Sequence, residues 1–445
     1  VEGPVRFRAG FSGRGGDIRS GTVLMEFDKA RISAPELNWA MGPGNKVTAT
    51  AKIVPRGKGA LALNELRAVG PGVSAFGRMF IAGGGIREAA FQEVKLGPAN
   101  DFSIMATLPL VGEQKYVVTG RALDASALIE SLSSTAPVLE DPKVRIKRPY
   151  NISATLSEVT MKSDVVLRDV IFRNRTDGIR MRAMDLSAAF PQGGTMRSDL
   201  IVQPDGSRRL RLTSNDAGRM VRAVTGLRSV VGGEVSLLAD LPKLPALNDM
   251  IAMAQDPPPR FSGSLRAENF KVVNQPFLAR LFAAGSFAGL GDLLSGEGIA
   301  FSKLETGFTN QSGPVQVVDG KASGPSIGVT FQGRFDREAD KVAFDGTLVP
   351  IYGLNSLFED IPVVGDILTS RKGEGIIGFT YEVAGRSDDL EIMVNPLSML
   401  TPGIFRRIFQ GERMTREQAA PVPSARPAPG PAPAPRPPRA GTGRP

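Results

Sequence analysis

The chain contains no cysteine and no histidine. It therefore has no thiolate nucleophile, no imidazole base, no C-x-x-C redox pair and no His/Cys zinc site. Most familiar hydrolase chemistry is excluded with them, and so is a disulfide framework. Aromatics are scarce, at 6% with a single Trp, and they do not interleave with basic residues as on a nucleic-acid-binding surface. Long hydrophobic runs are missing too. The longest strongly apolar uncharged stretch, Leu281 to Gly291, is about half of the ~20 residues that a spanning helix needs.

Charge of one sign is in modest excess, 54 Lys and Arg against 45 Asp and Glu. Of the net +9, residues 419–445 hold +4 and residues 404–418 hold +2, which leaves the rest of the chain nearly balanced. The excess belongs to one end, and no nucleic-acid partner is expected.

Two things are abundant: glycine, at 51 residues, and alternation. Val47, Ala49, Ala51 and Ile53 alternate with polar or small neighbours, as do Phe102 to Leu108 and Met184 to Phe190. Val329, Phe331, Gly333 and Phe335 share one face of a strand. After a turn over Arg337 to Lys341, Val342, Phe344, Gly346 and Leu348 resume the pattern. Strict alternation gives each strand one apolar and one wet face. Turn clusters such as Arg14-Gly15-Gly16-Asp17, Pro191-Gln192-Gly193-Gly194 and Pro204-Asp205-Gly206 separate the runs at meander spacing. On the order of twenty strands are expected.

Helices are few. Ser214 or Asn215 is placed to cap one whose apolar positions are Ala217, Met220, Val221 and Val224, ending near Gly226. A second is expected from Pro276 to about Leu294, with short turns at Leu354 to Phe358 and Val363 to Leu368. A last amphipathic turn sets Ile404, Phe405, Ile408 and Phe409 against Arg406 and Arg407; it suits a membrane surface or an end cap on the last strands. Residues 419–445 hold ten Pro and no acid, and they read as a disordered tail.

The chemical motifs are weak. Gly324-Pro325-Ser326-Ile327-Gly328 satisfies G-x-S-x-G, but a nucleophile elbow needs a preceding strand, a following helix and a His. Here a strand is expected to follow. No Walker A pattern is present, and Gly83-Gly84-Gly85 lacks dinucleotide-binding spacing. The acid pairs Asp388-Asp389 and Glu359-Asp360 read as loop acids. No catalytic residue, metal or cofactor is expected. Strands with one continuous apolar face and little helical cover must either close on themselves or line a trough that meets hydrocarbon.

Several ordered blocks of the second half carry a resemblance. They are Thr213 to Gly218 with Val231-Gly232-Gly233-Glu234-Val235; Phe261 to Leu265 with Asn269-Phe270, Pro276 to Ala279 and Leu290 to Ile299; and Asp319 to Gly328 with Gly346 to Pro350. Ile361-Pro362-Val363-Val364-Gly365 and Asn395 to Gly403 complete the set. Together these resemble the AsmA-like C-terminal region of the YhdP branch of the AsmA-like proteins of Gram-negative bacteria. Residues 1–204 match in texture, with Gly120-Arg121-Ala122-Leu123-Asp124 before a short helix.

The expected fold is mainly β: a long, twisted, antiparallel repeating β-groove, an open curled sheet with a few short covering helices and a disordered tail. Its divisions would be 1–204, 205–412 and 413–445. The resemblance implies a periplasmic protein anchored to the inner membrane by an upstream helix that this chain lacks. It also implies a non-enzymatic conduit for phospholipids between inner and outer membranes. Val329, Phe331, Phe335, Val342, Phe344 and Leu348 are the residues expected to meet acyl chains, their other reading being core beneath the preceding helix. The alternative function is an envelope scaffold or outer-membrane protein assembly factor that binds partners at an open sheet edge.

Overall fold

The computed structural model describes residues 1–14, 17–57, 59–133, 148–177, 181–241, 243, 261–274, 298–310, 314–336, 339–350, 379–386 and 389–395. The chain divides into two units, Val1–Leu400 and Thr401–Pro445, and the second lies outside the described residues.

The first strands are β1 (Arg6–Arg14), β2 (Asp17–Glu26), the small hairpin β3 (Ile32–Ala34) and β4 (Trp39–Met41), and β5 (Thr48–Pro55). Then come β6 (Leu61–Gly70), β7 (Val73–Ala82), β8 (Gly85–Leu96), β9 (Asn100–Thr107) and β10 (Gln114–Asp124). Helix α1 (Ser126–Ser133) precedes β11 (Tyr150–Thr160), β12 (Val166–Thr176), β13 (Met181–Ala189), β14 (Thr195–Val202) and β15 (Arg208–Ser214). Helix α2 (Ala217–Thr225) leads into β16 (Val230–Leu241), β17 (Phe261–Val272), β18 (Ile299–Asn310) and β19 (Val315–Ser323). The last strands are β20 (Ile327–Asp336), β21 (Lys341–Pro350), β22 (Phe379–Arg386) and β23 (Asp389–Asn395).

Apart from β3 and β4, which pair with each other, all the described strands join one 21-stranded sheet in chain order. β1 and β23 do not pair, so the sheet is open. At ~4.8 Å per strand its contour across the strands is on the order of 100 Å. Every pairing is antiparallel except β10 with β11, which is parallel. The physical reason is the connection: residues 125–149 are long enough to carry the chain back to the end from which β10 started. The division at 204/205 falls in the tight turn between β14 and β15, which are hydrogen-bonded neighbours. That position marks the extent of the resemblance and is no break in the sheet.

Strand directions place α1, α2 and the two single-turn helices Pro35–Leu37 and Lys162–Asp164 at the same end of the strands. They touch in the order Pro35–Leu37, α1, Lys162–Asp164, α2. The cap of α2 is Asp216 rather than Ser214 or Asn215: its side chain accepts the Arg219 amide at 2.9 Å. Ser214 instead accepts the Asp216 amide through its hydroxyl, and the Asn215 side chain accepts the Thr195 amide across the β13–β14 turn. Gly226, at φ 88°, ends the helix, its amide donating to the Arg222 carbonyl. Ala217, Met220 and Ala223 are buried and α2 packs on β16 and β17. Asp124 begins α1 by accepting both the amide and the hydroxyl of Ser126, and Asn38 donates to its other oxygen at 3.1 Å.

The helix expected from Pro276 to Leu294, the turns at 354–358 and 363–368, the turn at 404–409 and the tail lie outside the described residues. Among the described residues no helix is long and apolar enough to cross a membrane.

Candidate functional site

Because side chains alternate along a strand, residues directly opposite on neighbouring strands share a face, and the register links them into rows across the sheet. One row runs Leu265, Leu237, Leu212, Ser198, Leu186 and Phe172 from β17 to β12. It continues through Ala154, Val118, Ile104, Phe91, Gly77 and Leu66 to β6. A second row on the same face runs from Val170 on β12 through Leu156, Gly120, Phe102, Val94 and Ala75. It reaches the edge by way of Ala68, Ala49, Met25 and Phe7. A third covers the other end: Ile392, Val383, Phe344, Gly333 and Val317, then Phe308, Gly263, Ala239, Leu210 and Leu200.

Together these rows reach from β1 to β23, and none contains a charged side chain. The polar residue within them, Ser198, is buried, and its hydroxyl donates to the Arg211 carbonyl at 3.1 Å. A neighbouring row carries Tyr381, whose hydroxyl donates to the Thr330 carbonyl at 3.0 Å. Burial holds its ionisation well above the ordinary phenol value, with a further push from Asp345. Tyr116, also on this face, donates to Gln114 and is raised by burial as well.

The six residues expected to meet acyl chains fall on this face. Val329 is opposite Leu348, Phe335 opposite Val342, Phe331 opposite Gly346 and Phe344 opposite Gly333. Leu348 is the most buried of them, in a cluster with Ile327, Phe301, Tyr381 and Val383, while Val329, Phe331 and Phe344 are half-buried at its margin. Phe335 and Val342 lie toward the tight-turn end. Ile404, Phe405, Arg406, Arg407, Ile408 and Phe409 lie outside the described residues. Most of the surface lies outside the β20–β21 hairpin. Leu237, Leu265, Phe172, Phe91 and their row partners belong to the same face, and the signal that finds them is the same alternation, carried strand by strand through the register.

The opposite face carries the charged side chains, with exposed apolar residues such as Phe76, Met105, Ile171 and Met393 among them. Ion pairs line it: Arg211 with Asp199 at 2.9 Å and Arg209 with Asp240 at 2.6 Å across strands, and Arg266 with Glu268 on its own strand and Glu305 on the next. A shallow depression of ≈ 440 Å³ lies there between Arg197 and Arg266, over Thr213 and Ser236. Among the described residues no group of three or more Asp and Glu is placed to hold a metal. The G-x-S-x-G match is the β19–β20 hairpin turn, closed by the Gly324 amide on the Ile327 carbonyl, and a strand follows it. Of the acid pairs, Asp389 is described, opposite Arg386 where β22 turns into β23; Asp388 and Glu359-Asp360 lie outside.

What the arrangement offers chemically is a hydrocarbon surface. Leaving a Leu or Val side chain in water rather than burying it costs roughly 1.5–3 kcal/mol, and row members such as Leu156, Val170, Phe102 and Val383 are buried. Helix α2 packs on β16 and β17, and Ile129 of α1 and Leu37 pack against the same buried cluster. No family model, no curated protein and no solved structure matches the chain.

Proposed function

We propose that this protein is a non-enzymatic carrier of phospholipids, which holds their acyl chains against the apolar face while the headgroups stay in water. The observation that carries the reading is the set of rows without a charged side chain from β1 to β23. A hydrocarbon chain leaving a bilayer for such a face exchanges one apolar environment for another. Each methylene kept from water is worth about 0.8 kcal/mol on both sides, so movement along a uniform face is nearly level in free energy. The direction of transport then comes from outside the groove.

The destination rests on the resemblance of residues 205–410 to the AsmA-like C-terminal region: a periplasmic protein, anchored to the inner membrane, that passes phospholipids toward the outer membrane. Lipid analysis tests the reading. The chain purified in mild detergent from a Gram-negative host should yield phospholipid by mass spectrometry, and the Phe331→Asp/Phe344→Asp double variant should yield less while keeping its β-sheet circular dichroism. A lipid-free wild-type chain would remove the carrier reading and leave the scaffold reading, partner binding at an open sheet edge.

A further inference from the structure

The apolar rows contain glycine where a strand ordinarily carries a side chain, and these glycines are matched to phenylalanine. Phe11 is directly opposite Gly21, Phe91 opposite Gly77, and Phe102 opposite Gly120. In the second half Phe308 is opposite Gly263, Phe331 opposite Gly320, and Phe344 opposite Gly333. A Cβ built on Gly21 would stand 2.5 Å from the Phe11 ring, one on Gly77 2.7 Å from the Phe91 ring, and one on Gly333 2.8 Å from the Phe344 ring. A Cβ on Gly263 would likewise run into the Phe308 ring. At Gly21, Gly77, Gly263, Gly320 and Gly333 the ring occupies the space above the glycine, so it lies down over the neighbouring main chain instead of standing away from the sheet; at Gly120 the near atoms are the Phe102 main chain and Cβ.

We infer that these Phe–Gly pairs set the clearance of the apolar face for a straight hydrocarbon chain. Packed sheets stand ~10 Å apart, so an upright benzyl group takes up about half of that depth. Laid over a glycine, the same ring contributes its apolar area with little height. Glycine weakens a strand, and an aromatic laid over it restores part of the packing, which accounts for the pairing as a stabilising device. It does not account for where the pairs fall. They recur on the face that carries the rows, at β1–β2, at β7 to β10, at β17–β18 and at β19 to β21. The inference rests on the carrier reading and adds to it the residues that govern passage.

The test uses the full chain and vesicles of phosphatidylglycerol bearing a diazirine on one acyl chain, with photolabelling of the protein and the urea midpoint as the two readouts. In Phe308→Leu/Phe344→Leu a γ-branched side chain, unable to lie flat, replaces the ring. Labelling should fall several-fold in that variant and stay at the wild-type level in Met393→Leu, which changes an exposed apolar residue on the opposite face of β23. Gly21→Ala gives an independent variant, because its nearest main-chain contact is a tolerable 3.0 Å and the Phe11 ring is what must move. It decides the matter if the double variant proves unfolded, and its labelling should fall too. Wild-type labelling with undiminished labelling of the folded variants overturns the clearance role and leaves the carrier reading intact. Absence of labelling in the wild type overturns both.

Discussion

The Tyr381 hydroxyl donates to the main-chain carbonyl of Thr330, 3.0 Å away and two strands distant, across the bare backbone of Gly346. One of the polar groups on the apolar face is thus satisfied by a bridge over three strands. The phenol's ionisation is raised above its ordinary value of 10.0 by burial first and by Asp345 second. A raised folded-state value means that the contribution of the neutral phenol is complete below pH 10.0 and is lost as pH climbs through the higher folded value. Tyr381→Phe should cost about 1 kcal/mol at neutral pH. Urea melts of the variant should also lose less stability above pH 10 than those of the wild type.

Gly346 should tolerate no side chain. A Cβ there would collide with the Thr330 carbonyl and stand 2.8 Å from the Tyr381 hydroxyl, so Gly346→Ala should cost about 2 kcal/mol or more. Gly10 makes the contrast. Its nearest neighbour would be the Thr22 hydroxyl at 3.8 Å, and Gly10→Ala should be neutral or stabilise by up to about 1 kcal/mol in the same melts.

Asp216 should matter more to α2 than the two polar residues before it. Removing its carboxylate leaves the Arg219 amide without its cap, and Asp216→Ala should cost about 1 kcal/mol. Hydrogen exchange should show the loss in the first turn of α2, whereas Asn215→Ala should show it at the Thr195 amide instead.

The ion pairs of the charged face should contribute little. Arg211 and Asp199 pair at 2.9 Å with the Arg side chain 54% exposed, so a double-mutant cycle should give a coupling below about 1 kcal/mol. The coupling should shrink further in high salt.

The β20–β21 hairpin was legible residue by residue. Alternation put Val329, Phe331, Phe335, Val342, Phe344 and Leu348 on one face, and the register pairs them there. Alternation reports which face a residue takes, but not which residue it meets. That limit explains what stayed hidden. The parallel seam between β10 and β11 depends on a crossover without strand periodicity. The Phe–Gly matches depend on a register that shifts at bulges, as between Phe91 and Val94. The cap of α2 moved to Asp216 because the Ser214 and Asn215 side chains are taken by other amides, a competition that three adjacent cap-forming residues do not resolve in sequence.

Leu237 and Leu238 offer the most direct measurement. They are adjacent and chemically identical, yet Leu237 lies in the longest apolar row, while Leu238 is on the charged face opposite Arg211 and Ser264. A benzoylphenylalanine photocrosslinker placed at each position in turn, in the full chain expressed in a Gram-negative host with radiolabelled phospholipid, reports what each face touches. The account predicts lipid adducts from position 237 and background from position 238. Equal labelling of the two, or none at 237 in a folded chain, would contradict it.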